Sequence, residues 1–184
     1  MKSLNTIIQE KTLLYRISVH KDADAYATMY DVYVEKIYRF VFFKVNNTQE
    51  AEDITSDVFL KVWQYLISEK GKSVSHLSGL LYRTARNCII DTYRERAKKP
   101  TTSLDQAEQL PDESHKHDIH IKEEYRQLLA SLTSLKQEYQ DVLLLRYVEE
   151  MSMSEICRIL EKKPSAVRVL LHRATKKLQE LHHI

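Results

Sequence analysis

Glycine occurs only twice and proline three times in the 184 residues. Strand-rich folds need such residues in turns at regular spacing, so their scarcity excludes a sandwich or barrel and points to helices. Cysteine is equally rare, at Cys88 and Cys157 alone. Each lies inside an apolar helical pattern and no C-x-x-C occurs, so buried thiols are expected rather than a disulfide or a metal pair. No uninterrupted apolar run approaches the ~20 residues of a membrane span. No charged-then-apolar signal segment opens the chain. The expectation is a protein of the reducing cytoplasm, with no membrane insertion.

What is present suits a folded chain: 43% hydrophobic and 29% charged residues,. The net charge is only +2, yet charge is segregated. Residues 83–99 hold six Lys/Arg against two acids, and residues 161–180 repeat that balance. Between them, residues 100–121 hold five acids and one lysine. Two basic blocks around an acidic stretch suggest two nucleic-acid contacts joined by a linker. Charge alone leaves solvated helix faces as the leading reading.

Apolar residues recur at steps of three and four, which predicts helices over residues 4–20, 23–45, 47–66 and 75–97. Asn47 and Glu50 have the spacing of a capping box. Residues 70–73 read as a loop, and Pro100 ends the unit. Residues 100–121 lack aromatics and any period, so they read as a flexible linker. It is long enough to let the flanking units change their relative position. The second unit begins near residue 121, with Tyr125, Leu128, Leu129 and Leu132 on one helix. Val142, Leu143, Leu144, Leu145 and Tyr147 mark a short buried helix.

Ser152 and Glu155 form a second capping pattern, opening a helix with Ile156, Ile159 and Leu160 inside. Glu161, Lys162 and Lys163 make a short turn, and Pro164 suits the first position of the next helix. That helix carries Val167, Leu170, Leu171 and Leu178 inward, with Ser165, Arg168, His172, Arg173, Lys176 and Lys177 outward. Two helices about a tight turn, the second rich in arginine, match a helix-turn-helix. Such a second helix fits the major groove, where arginine can bond both acceptors of guanine.

Four long segments carry a sharper likeness. AEDITSDVFLKVW at 51–63, LYRTARNCIIDTYR at 81–94, DVLLLRYVE at 141–149 and VRVLLHRATKKL at 167–178 resemble, in order and spacing, the segments of extracytoplasmic-function (ECF) sigma factors of the sigma-70 family. The likeness covers about residues 23–180. It implies an all-α fold of two small helical domains. Residues 1–99 would be sigma domain 2, which binds core RNA polymerase and melts the −10 element. Residues 100–121 would be a flexible acidic linker, and residues 122–184 sigma domain 4, which reads the −35 element. The implied partners are core RNA polymerase, promoter DNA and an anti-sigma factor.

Carried over residue by residue, the resemblance assigns core-polymerase binding to Glu52, Asp53, Ser56, Asp57 and Lys61. It assigns −10 contacts to Tyr82, Arg83, Arg86, Asn87, Tyr93 and Arg94, with Tyr82 equally readable as a core residue. It assigns −35 contacts to Ser165, Arg168, His172, Arg173, Lys176 and Lys177. The loop before the fourth helix takes the place of the family's base-capturing loop.

The chain also departs from the family pattern. Leu80 stands where the family often has tryptophan, and Glu161 where the tight turn usually has glycine. Lys163 replaces a capping serine, and Val169 and Leu170 stand where serine and arginine are frequent.

No catalytic constellation accompanies Glu52 and Asp53, so no enzyme activity, cofactor or metal is expected. His115, His117 and His120 read as solvated linker rather than a metal cluster. The competing reading is a helix-turn-helix regulator that does not bind core polymerase. It leaves the segments at 51–63 and 81–94 unexplained.

Overall fold

The computed structural model describes residues 4–98 and 119–182. The described residues form eight α-helices and no strand. The expected linker falls almost wholly outside them, as do His115 and His117. The chain divides into two compact units: residues 1–41 with 49–102, and residues 42–48 with 103–184.

The first unit is built on α1 (Leu4–His20), α2 (Ala23–Val45), α3 (Thr48–Leu66) and α4 (Leu77–Lys98). Asp22 starts α2: its side chain accepts from the Ala25 backbone N–H at 3.0 Å, filling one of the orphan donors of a helix start. Arg16 closes on the same carboxylate at 2.7 Å. That N–H bond, and then Arg16, hold the Asp22 carboxyl below its ordinary pKa.

The predicted stripes meet as the core. Met29, Ile37, Phe40 and Val41 of α2 are buried. So are Ala51, Ile54, Val58, Phe59, Val62 and Leu66 of α3, and Leu77, Leu81, Ala85, Cys88 and Ile89 of α4. Aromatic contacts stitch the layers together. Tyr26 meets Trp63 edge-on at 4.8 Å, and its hydroxyl donates to the Phe59 carbonyl. Phe40 meets Tyr82 edge-on at 5.2 Å. Each such ring pair adds roughly 0.5–1.5 kcal/mol beyond its buried area.

Residues 70–73, read as a loop, lie in a 3-10 turn over Glu69–Ser73. Gly71 is buried there because the turn folds back on the end of α3. A Cβ at this position would stand 2.0 Å from the Leu66 carbonyl oxygen.

The second unit holds α5 (Ile119–Ser134), α6 (Gln137–Leu143), α7 (Met153–Leu160) and α8 (Pro164–His182), with a π-helical turn over Leu144–Val148. It also takes in residues 42–48, where Lys44 forms a buried ion pair with Asp141. Helix α5 starts at Ile119, so His120 and Ile121, assigned to the linker, are helical. Leu129, Leu132, Val142, Leu143, Leu144 and Leu145 are buried as expected.

Two expected core residues are not. Tyr147 is 60% exposed and Leu128 40% exposed. The π-helical turn widens the winding just where Tyr147 sits and carries it off the buried stripe. Cys88 is a buried free thiol, but Cys157 is only half-buried. It lies beside the inner stripe of α7, not on it.

Candidate nucleic-acid and partner interfaces

Helix α3 presents one buried and one open face because its apolar residues keep a period near 3.6. Glu52, Asp53, Ser56, Asp57 and Lys61 all stand on the open side. Leu60 stands among them, 55% exposed, and Tyr65 follows one turn later. Neither was predicted. The signal was a large apolar residue at a polar phase of the helix. An exposed apolar side chain on a face that also carries carboxylates can add buried area to a protein contact once water is excluded.

Lys61 is oriented differently from its neighbours. Its ammonium donates to the Cys88 sulfur at 3.4 Å, linking α3 to α4. That hydrogen bond raises the Lys61 pKa, while burial pushes the Cys88 thiol above its ordinary range. Lys61, Gln64, Tyr65, Ser68, Glu69 and Lys70 line an open cleft of about 530 Å³.

On α4 the predicted residues separate. Tyr82 is fully buried against Phe40. It is a core residue, and its ring is not available to stack on a base. The reason is its phase: Tyr82 follows Leu81 on the inner arc, where its ring meets Phe40 of α2. Leu80, at the position where the family often has tryptophan, is buried too.

Asn87 and Arg94 are exposed; Arg83, Arg86 and Tyr93 are half-buried. Arg83 donates from Nε to the Gly79 carbonyl at 3.1 Å, which lays its stem along the helix. Burial, and next the charge of Glu50, raise the Tyr93 pKa. Glu50 also pairs with Arg96. The face therefore keeps its basic groups with one neutral phenol among them.

In the second unit, Ser152 and Glu155 form the predicted reciprocal cap. Glu155 N–H donates to Ser152 Oγ at 3.3 Å, and Ser152 N–H to Glu155 Oε2 at 3.0 Å. Ile156, Ile159 and Leu160 of α7 are buried. Glu161 ends the helix at φ 54° and ψ 37°, the left-handed conformation that normally calls for glycine. Lys162 holds the turn to Glu138 of α6 at 3.0 Å. Pro164 then opens α8 as its first residue.

The inner side of α8 is Val167 and Ala174, both fully buried, with Leu170, Leu171 and Leu178 half-buried. Ala174 was missed because alanine is a weak marker of a core. Ser165, Arg168, His172, Arg173, Lys176 and Lys177 are all exposed. The geometry is a helix-turn-helix whose second helix offers a basic face.

Two family models cover the chain: "Sigma-70 region 2" matches residues 29–99, and "Sigma-70, region 4" matches residues 125–178. RNA polymerase sigma factor YlaC of Bacillus subtilis is 30% identical over 165 residues, spanning 87% of this chain and 93% of the relative. The chain belongs to the sigma-70 family of RNA polymerase sigma factors. Its kind is the ECF type. ECF RNA polymerase sigma factor BldN of Streptomyces coelicolor is 26% identical over 87% of this chain, which spans 61% of BldN's length. The fold agrees: the solved structure of CnrH in complex with the cytosolic domain of CnrY superposes with a TM-score of 0.71 at 17% identity. That match covers 94% of this chain and 96% of CnrH. The sigma-70 regions thus map onto α2–α4 and α5–α8. No helix among the described residues is long and apolar enough to cross a membrane.

Proposed function

We propose that this ECF sigma factor binds core RNA polymerase and directs promoter-specific initiation in the cytoplasm, with no catalysis of its own. Residues 1–99 act as sigma domain 2. The open face of α3, with Glu52, Asp53, Ser56 and Asp57 around Leu60, docks on core polymerase. Lys61 helps by position, tying α3 to α4. Along α4, Arg83, Arg86, Asn87, Tyr93 and Arg94 hold the opened −10 strand. Residues 122–184 act as sigma domain 4, and α8 reads the −35 element in the major groove. A protein partner of the kind seen with CnrH holds the chain in reserve as an anti-sigma factor.

The observation that supports this reading is the pairing of one acidic, apolar-centred helix face with one basic recognition helix in a chain that matches both sigma-70 regions. The region 2 match is what a simple helix-turn-helix regulator leaves unexplained. Run-off transcription with core RNA polymerase on a promoter pool tests it. Discrete transcripts that depend on the added chain are expected. No transcripts, with no co-purification of core polymerase in the absence of DNA, would overturn it.

A further inference from the structure

Val169 is 49% exposed on α8. An exposed valine alone needs no explanation; its position does. At 100° per residue, Val169 lies opposite the buried Val167 and Ala174, in the middle of the outward face. Ser165 stands one turn before it, and His172 and Arg173 one turn after. Arg168 lies to one side, Lys176 lies two turns on along nearly the same line, and all five neighbours are exposed. An apolar group therefore sits at the centre of a basic face, in the N-terminal half of the recognition helix. That half meets base edges when such a helix enters the major groove.

The charges around it favour a polyanion, so the occupant is a DNA duplex rather than an apolar protein surface. Among groups on major-groove edges, one is apolar: the C5-methyl of thymine. The edges of guanine, adenine and cytosine present hydrogen-bonding atoms. Valine can satisfy none of them, and pressing it against them would strip their water without return.

We propose that Val169 is a specificity-determining residue that reads the methyl group of a thymine in the −35 element. Arg168 and Arg173 beside it supply contacts to phosphate or guanine. This rests on the reading of α8 as the major-groove helix.

The test uses holoenzyme reconstituted from core RNA polymerase and the full chain, with promoters captured from a pool randomised over the −35 segment. Each thymine of the captured segment is then replaced by deoxyuridine, which removes the methyl group and nothing else. At one position the replacement should weaken binding about fourfold, the value of burying one methyl group. Val169→Ser should bind the thymine and deoxyuridine duplexes equally at that position, with an unchanged melting temperature. Three results overturn the proposal: no thymine in the captured segments, equal binding of every thymine–deoxyuridine pair by the wild type, or discrimination kept by V169S. Failure to capture any promoter would be distinct from these, because it overturns the reading of the chain as a promoter-binding subunit, and this assignment with it.

Discussion

The Lys61 ammonium donates a hydrogen bond to the Cys88 sulfur at 3.4 Å, across the α3–α4 interface of the first unit. Burial disfavours the thiolate more than the lysine favours it, so the Cys88 pKa lies above its ordinary value. The thiolate is the reactive form. In the native protein Cys88 should therefore react with an alkylating reagent much more slowly than the half-buried Cys157. Peptide mapping by mass spectrometry after brief labelling at pH 7.5 checks this. Equal labelling of the two thiols would refute it.

The same pair contributes to a pH dependence. The folded-state pKa is raised for Cys88, chiefly by burial, and for Lys61, chiefly by its bond to Cys88. Burial also raises it for Tyr26 and Tyr93. All four hold their protons more tightly in the folded chain. As pH rises, the unfolded chain releases protons first, so stability present at neutral pH is lost through the alkaline range. The melting temperature should fall steadily from about pH 8.5 upward, the range in which unperturbed thiols and then phenols titrate. A flat profile between pH 8 and pH 11 would count against these burials.

Gly71→Ala should destabilise the first unit. Its Cβ would stand 2.0 Å from the Leu66 carbonyl, a backbone atom that cannot rotate away. Forced overpacking of this kind costs about 1–3 kcal/mol. Urea denaturation is the measurement, and an unchanged midpoint would mean that the turn has room to shift.

Glu161→Gly should act in the opposite direction. Glu161 sits in left-handed backbone, which costs a residue with a Cβ roughly 1 kcal/mol relative to glycine. A gain of about that size in the urea unfolding free energy is expected, with promoter binding preserved. A loss of stability would show that the Glu161 side chain contributes more than its backbone costs.

Asp53→Arg combined with Asp57→Arg should abolish assembly with core RNA polymerase while leaving the fold intact. Both side chains are exposed on α3, and reversal turns attraction at a charged contact into repulsion. Circular dichroism should match the wild type, and a core pull-down should fail. Wild-type recovery of core by the folded variant would rule out this face.

Arg168→Ala and Arg173→Ala should each weaken promoter binding while core polymerase binding stays at the wild-type level. Both residues are exposed on α8, and a lost bidentate base contact costs about 1–3 kcal/mol. Filter binding of holoenzyme to a captured promoter, beside a core pull-down, separates the two effects. Unchanged promoter affinity in both variants would remove α8 from the −35 contact.

What the sequence by itself determined was everything written in local terms. The helix limits of α1 and α2, the Ser152–Glu155 cap and the outward basic residues of α8 depend on neighbours within one or two turns. Backbone geometry and side-chain spacing make those relations legible in one dimension. The family resemblance was legible for the same reason, since it rests on the order and spacing of four segments. Only the tertiary structure decided the rest. Tyr82 is core because Phe40, 42 residues away, meets its ring. Lys61 reaches across to α4 because the Cys88 sulfur lies within hydrogen-bond distance of its ammonium. Gly71 is required because the chain after α3 folds back on Leu66. Tyr147 leaves the core because the π-helical turn shifts the register of the buried stripe. For Tyr82 and Lys61 the burial or direction of the side chain depends on which helix packs against it; for Gly71 and Tyr147 it depends on local departures from α-helical winding that a 3.6-residue period does not report,.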